Sequence, residues 1–362
     1  MLEHASLSLN EPRRFGKTSV LAKMEAGPPR GWVCVRQSFQ GVDTSGGMAA
    51  RALSAIAHHQ SLPKRVRSTA RQFVTQARLS VTVDQVNFQL APQFRDDPVA
   101  ALEAALVDVN AKLERDRLVL LWDEIPDMVI DIIEREGAHS AGVLLGVLRR
   151  FRQDPRNSAV RWLLTGSVGF HHAVRRLERG DALLNDLDAL SLGPLTDEWA
   201  RWLAGSLLLG AGVGHDQDAV DELGRVSGGL PYLLHLVAKE ARDSHRGAVT
   251  GADIDPLFTQ AINDLDRSQQ ATHFLSRIPT YYGAHATCAE WLLDRFVEGS
   301  APLDELRAAA RRAHFPLPEN SQLHDILDWL CQDHYLTKHP VSPARYEWRY
   351  PPLGRIWKIR RL

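Results

Sequence analysis

Cysteine is scarce in this chain: Cys34, Cys288 and Cys331 lie far apart among 362 residues, with no CxxC pair. That excludes a disulfide framework and a cysteine zinc site, and a reducing, cytosolic compartment fits best. Long apolar runs are missing too, since no stretch reaches the roughly 18 apolar residues of a membrane span. The N-terminal MLEHASLSLNEPRR has no basic stretch followed by an apolar one, which argues against a secretory signal. The expectation is a cytoplasmic protein with no membrane partner. No charge of one sign predominates: Lys+Arg of 43 against Asp+Glu of 44 leaves a formal net charge of -1. The chain as a whole is not a polycation that coats nucleic acid or anionic lipid, so any nucleic-acid surface must be local. What is present, 44% apolar and 24% charged residues, is ordinary globular composition, and the length suits about two to three domains with a large core.

Periodicity and punctuation predict a strand over residues 5–9, a loop containing Gly16, and a helix over 18–25 ended by Gly27, Pro28 and Pro29. Residues 32–39 read as a strand, 45–59 as a helix and 64–78 as a basic helix carrying Lys64, Arg65, Arg67, Arg71 and Arg78. A charge run of this kind is a solvated helix face or a local anion-binding patch. Residues 98–116 read as a helix with proline just inside its start, and 118–122 as a strand buried on both faces. Helices over 139–152 and 171–177 alternate with strands over 160–165 and 189–192, and this alternation predicts a doubly wound, parallel α/β sheet. From 196 to 258 the pattern turns helical, broken by Gly210, Gly212, Gly214 and the Gly228-Gly229-Leu230-Pro231 turn.

The segment Glu11-Pro12-Arg13-Arg14-Phe15-Gly16-Lys17-Thr18-Ser19 lies between strand and helix. Such a loop aims backbone N–H groups and a helix N-terminus at phosphates. Lys17 would reach the β/γ-phosphates, and the Thr18 hydroxyl would bind Mg²⁺. The first glycine of GxxxxGK[ST] is replaced here by Glu11. A second apolar strand ends in the adjacent carboxylates Asp123 and Glu124. Asp123 would hold Mg²⁺ through its water shell, and Glu124 would polarise the attacking water as general base. A third strand ends in Gly166-Ser167 at the carboxyl edge where open α/β sheets bind ligands. Ser167, with Thr165 in reserve, would sense the γ-phosphate or orient the water, and Arg175 or Arg176 could serve a neighbour's nucleotide.

The loop resembles the PRRxGKTS loop of the archaeal-type ATPases, members of the STAND branch of AAA+-related P-loop ATPases. Residues 120–126 resemble their DEI/DEF strand end, Trp162 to Ser167 their LTGS strand, and Ser227-Gly228-Gly229-Leu230-Pro231-Tyr232-Leu233-Leu234 their GGxPYxLQ lid helix. The segments Leu327-Asp328-Trp329-Leu330 and Trp348-Arg349-Tyr350-Pro351-Pro352-Leu353 look like parts of their C-terminal winged helix. The resemblance implies a P-loop NTPase core over 1–194, a helical lid over 195–275 and a winged helix over 276–362. It further implies ATP and Mg²⁺ as cofactors, Pro12 to Ser19 at the nucleotide and Pro231 beside the adenine. The chain departs from the family at Glu11 and in having ten residues before it, where relatives carry a segment that helps grip the base.

Three functions remain open. One is an ATP-driven switch read by a protein partner or by a second copy of the chain. Another is a DNA-binding protein whose winged helix is regulated by ATP, using Arg311, Arg312, Arg345, Arg349, Arg355, Lys358, Arg360 and Arg361, although Glu305, Glu319, Asp325, Asp328, Asp333 and Glu347 lie among them. A third, a degenerate scaffold, rests on Glu11 and is opposed by the retention of Lys17, Thr18, Asp123 and Glu124. The paired histidines His58-His59 and His171-His172 read as surface or packing residues, and no HExxH occurs. Trp199, Trp202, Trp291, Trp329, Trp348 and Trp357 are expected to fill helical and winged-helix cores.

Overall fold

A computed structural model describes residues 5–76, 88–167, 169–178, 180–244, 247–264 and 274–361. Its internal contacts divide the chain into two compact units, residues 1–11 with 17–191 and residues 12–16 with 192–362.

The first unit is built on β1 (Ser6–Asn10), α1 (Lys17–Ala26), β2 (Trp32–Ser38), α2 (Ser45–His58) and α3 (Lys64–Arg71), followed by the short β3 (Val74–Gln76) and β4 (Phe88–Leu90). Then come α4 (Pro98–Leu113), β5 (Arg117–Asp123), α5 (Ile125–Glu136), α6 (Ala138–Gln153), β6 (Val160–Gly166), α7 (Phe170–Val174) and β7 (Leu187–Leu190). Five strands form one sheet in the order β2-β5-β6-β1-β7, and every pairing in it is parallel. Parallel strands need helical crossovers that cover both faces, which is why β5 is a continuous apolar run, buried from Leu118 to Asp123. Trp122 and Trp162, each at most 1% exposed, meet edge to face at 5.9 Å between ring centres. Phe39 packs on the first at 5.2 Å and Phe151 on the second at 5.3 Å.

Register sets the site. Leu9 lies opposite Thr165 and Asn10 opposite Gly166, while Trp122 lies opposite Leu164. The carboxyl ends of β1, β6 and β5 are thereby brought side by side, and the loops that follow them open on one edge of the sheet.

Two expectations are corrected in this unit. The basic helix stops at Arg71, and the chain turns into β3, paired antiparallel with β4. Arg65 donates to the Lys112 carbonyl, Arg67 to Gln60 and Arg71 to the Ala57 carbonyl, so three members of the patch are tied to their surroundings; Arg78 lies outside the described residues. The helix α5, which periodicity alone did not mark, starts directly after Glu124 with Pro126 in its first turn, where a proline costs no hydrogen bond.

The second unit opens with α8 (Asp197–Gly210), β8 (Gly214–His215), α9 (Gln217–Ser227), α10 (Pro231–Asp243), β9 (Ala248–Val249) and α11 (Gly251–Asn263). Its starts follow from caps: Asp216 accepts from the Ala219 amide, and Thr250 with Asp253 forms a capping box. The unit closes with the helices Arg277–Tyr282, Ala286–Phe296, Leu303–Arg312, Asn320–Gln332 and Pro351–Arg361 around an antiparallel sheet ordered β10-β12-β11. Those strands are β10 (Ala301–Pro302), β11 (Leu336–His339) and β12 (Arg345–Trp348).

Trp348 and Trp357 fill this core, with ring centres 5.7 Å apart, and Trp291 and Trp329 pack half-buried against it. Trp199 and Trp202 do not. They are 55% and 63% exposed, because α8 buries the stripe Ala200, Ala204 and Leu208 and turns these two indoles to the opposite side.

Candidate active site

In the first unit the side chains at the strand ends form two sets of hydrogen bonds, one around Glu11 and one around Asp123 and Glu124. Lys17 heads α1, is 5% exposed and donates its Nζ proton to the Glu11 carbonyl oxygen at 2.6 Å. The Glu11 carboxylate, also buried, accepts at Oε1 from the Ser191 hydroxyl at 2.6 Å. One residue into α1, Thr18 Oγ1 donates to Asp123 Oδ2 at 3.1 Å, across 105 positions of sequence. The other oxygen, Oδ1, accepts from the fully buried Thr165 hydroxyl and from the Glu124 amide.

Glu124 sits at φ 60 and ψ 39, in the left-handed region. For a residue with a Cβ, sparsely populated backbone of this kind costs on the order of 1–3 kcal/mol. The bend carries the chain from β5 into α5 and leaves the carboxylate facing the end of β6. There Oε2 accepts from the Ser167 amide at 3.2 Å and from its hydroxyl at 3.0 Å. The same hydroxyl lies 3.5 Å from Asp127 Oδ2.

The donor set has a definite chemistry. A hydroxyl and a carboxylate, both hard oxygen ligands, suit Mg²⁺ better than a soft metal. An ammonium beside the N-terminus of a helix suits phosphate oxygens. Glu124, held at one oxygen, keeps the other as an acceptor for a proton from water.

The rest of the loop between β1 and α1, Pro12 to Gly16, groups with the second unit. Gly16 has φ 90, a value that favours glycine. The Arg14 guanidinium stacks 4.9 Å over the Tyr232 ring, and Phe15 lies 5.0 Å from Tyr350. Burial pushes the Tyr232 phenol above its ordinary value, against the opposing pull of Arg14. Pro12, Arg13, Phe15, Leu230, Tyr232 and Arg277 line a cavity of about 30 Å³, room for roughly one or two waters. Pro231 begins α10 half-buried and does not line that cavity. Before it, a Cβ on Gly229 would stand 2.4 Å from the Leu195 carbonyl oxygen, and φ at Gly229 is 72, so this interhelical turn admits only glycine there.

Other expected residues have local engagements. Ser19 is exposed in the first turn of α1. Arg176 pairs with Glu134 at 3.2 Å, and Arg175 lies 3.1 Å from His172 Nδ1. In the second unit Arg345 pairs with Glu305, Arg355 with Asp255, and Arg361 with Glu290 and Asp294.

The Glu11–Ser191 bond and the place of Asp127 escaped sequence reasoning. A carboxylate at the loop's first position was itself the signal that a donor must stand nearby.

No protein-family model and no curated protein matches the chain. Solved structures do. The Walker-type ATPase of Pyrococcus abyssi superposes with a TM-score of 0.62 at 13% identity, over 97% of this chain and 90% of that one. The ORC2 protein of Aeropyrum pernix, solved as ADPNP–ADP complexes, gives 0.50 at 14% identity, over 98% and 86%. The likeness is one of fold, a parallel five-stranded α/β sheet followed by a largely helical unit. Among the described residues no helix is long and apolar enough to cross a membrane.

Proposed function

We propose that the chain binds ATP with Mg²⁺ and hydrolyses it, and that nucleotide state is the signal it transmits. The observation that carries this reading is the Thr18–Asp123 hydrogen bond, which joins the start of the helix after the phosphate loop to the carboxylate-bearing end of β5. Lys17 would neutralise the β- and γ-phosphate oxygens, and the amides at the start of α1 would donate to them. Thr18 and Asp123 would hold the Mg²⁺, which when bound offsets charge developing on the phosphate oxygens. Glu124 would take the proton of the attacking water as its oxygen bonds to the γ-phosphorus and the bond to the β–γ bridging oxygen breaks. The products are ADP and inorganic phosphate. Ser167 would aim Glu124.

The order of motifs along the chain supports a finer version. Residues 1–194 would act as the ATPase core, 195–275 as a lid in which Pro231 begins a helix beside the adenine, and 276–362 as a winged helix, in a cytoplasmic switch of STAND type. Its reader would be a protein partner or a second copy. The internal pairing of Arg345, Arg355 and Arg361 favours this over DNA.

The experiment is binding of Mg²⁺-ATP and phosphate release by the purified chain, with Lys17→Ala and Glu124→Gln alongside, with and without duplex DNA across a salt series. Binding lost in the first variant and hydrolysis alone lost in the second supports the reading. Unchanged turnover in both would sink it. A steep fall in DNA affinity with salt would instead promote the DNA-regulated function.

A further inference from the structure

We infer that Thr165 is a positioning residue of the metal site, whose hydroxyl fixes the Asp123 carboxylate so that its partnership with Thr18 is preset. This rests on the nucleotide-binding reading above. Thr165 lies in β6, opposite Leu9 of the strand that leads into the phosphate loop, and is fully buried. A buried hydroxyl costs free energy unless it is hydrogen-bonded. Valine has nearly the same shape, fits a strand at least as well and buries no polar atom, so packing does not account for threonine here.

What the hydroxyl does is donate to Asp123 Oδ1, the oxygen that also takes the Glu124 amide. A carboxylate on a short side chain turns broadly about its last torsion. With Oδ1 held from two sides, Oδ2 is left to Thr18 at 3.1 Å. A carboxylate only accepts, so the Thr18 proton goes to Oδ2 and the lone pairs of Thr18 Oγ1 remain for a cation. Thr165 thus acts on the cation site through Asp123 without being a ligand itself.

The test titrates Mg²⁺ against binding of a fluorescent, non-hydrolysable ATP analogue to the full chain. It compares Thr165→Val, Thr165→Ala and Thr165→Ser, each with an arm in EDTA. Outer partners of metal ligands are typically worth about 10–100-fold in metal affinity. Thr165→Val is therefore expected to raise the half-saturating Mg²⁺ concentration about tenfold or more and to leave affinity in EDTA unchanged. Thr165→Ser, which keeps the hydroxyl, is expected to stay near the parent. Thr165→Ala should follow valine, and it serves in place of valine if that variant does not fold. An unchanged Mg²⁺ requirement in Thr165→Val, an equal loss in EDTA, or a serine variant as impaired as valine would overturn the inference. These outcomes leave the nucleotide reading standing, whereas a parent chain that binds no nucleotide in either arm refutes that reading as well.

Discussion

The ammonium of Lys17 donates to the carbonyl oxygen of Glu11, at 2.6 Å and almost out of contact with solvent. Under the proposed function, Lys17 would offer a phosphate a cation already held in place. Hydrogen bonds to charged groups are worth about 1.5–3 kcal/mol each. Lys17→Ala is expected to weaken ATP binding by at least about tenfold to a hundredfold. Lys17→Arg is not expected to restore it, because a planar fork does not substitute for a compact point charge. Equilibrium titration with a fluorescent ATP analogue checks both, and parent-like affinity in Lys17→Ala would contradict the role.

Ser191 donates to the carboxylate of Glu11 at 2.6 Å. Removing a donor from a buried acceptor costs about 1–3 kcal/mol, so Ser191→Ala should lower the unfolding free energy by that order in urea titrations. Glu11→Gln, which retains an acceptor oxygen toward Ser191, should lose less. Were the two equally damaging, or Ser191→Ala silent, the bond would have no structural weight.

In the proposed mechanism Glu124 and Ser167 would divide a different task. Loss of a positioned general base costs about 10²–10⁴ in rate, and Glu124→Gln should show that loss in phosphate release while binding Mg²⁺-ATP as the parent does. Ser167→Ala removes one of the two bonds from Ser167 to Glu124 and keeps the amide bond, so its kcat should fall by a smaller factor at unchanged affinity. A Ser167→Ala variant that binds poorly would assign Ser167 to binding instead.

The parallel sheet was legible because strands alternate with helices and because Leu118 to Trp122 of β5 is an uninterrupted apolar run, the composition of a strand buried on both faces. Thr18 and Asp123 were expected at one metal site from chemistry, a hydroxyl at a helix start and a carboxylate at a strand end, but their direct hydrogen bond was not foreseen. Register was not legible. That Leu9 faces Thr165, and hence that Thr165 rather than Ser167 reaches Asp123, depends on strand order, which no local pattern encodes. The helix α5 was missed because its apolar residues follow directly on a buried strand, and the break between them is a left-handed Glu124, a conformation that sequence does not announce at glutamate. Trp199 and Trp202 were misassigned by residue type. Two alanines and Leu208 on the other stripe of α8 do the burying there, and the alanines look innocuous in sequence.

The cysteines offer a test of the packing that is independent of any nucleotide. Burial pushes the thiols of Cys34, Cys288 and Cys331 from the ordinary 9.0 up to about 11, helped by Glu25 at Cys34 and by Asp328 at Cys331. Only the thiolate reacts, so at about pH 8 the folded chain should label slowly with a thiol-reactive dye and the urea-unfolded chain quickly. The same shift has a sign for stability. A raised folded-state value means that the folded chain keeps these protons while the unfolded chain releases them, so unfolding is assisted as pH rises. The thiols' contribution is intact below about pH 9 and declines between about pH 9 and about pH 11. Lysines and tyrosines also titrate in that window, so the measurement is a comparison. Melting midpoints of the parent and of a variant with all three cysteines changed to alanine are followed from about pH 8 to about pH 10.5. The parent should lose more of its midpoint than the variant over that range. Fast labelling of the folded chain, or parallel curves for the two proteins, would show that Cys34 and Cys288 are not buried where β2 and the helix Ala286–Phe296 place them, and that the half-buried Cys331 of the helix Asn320–Gln332 is open to reagent.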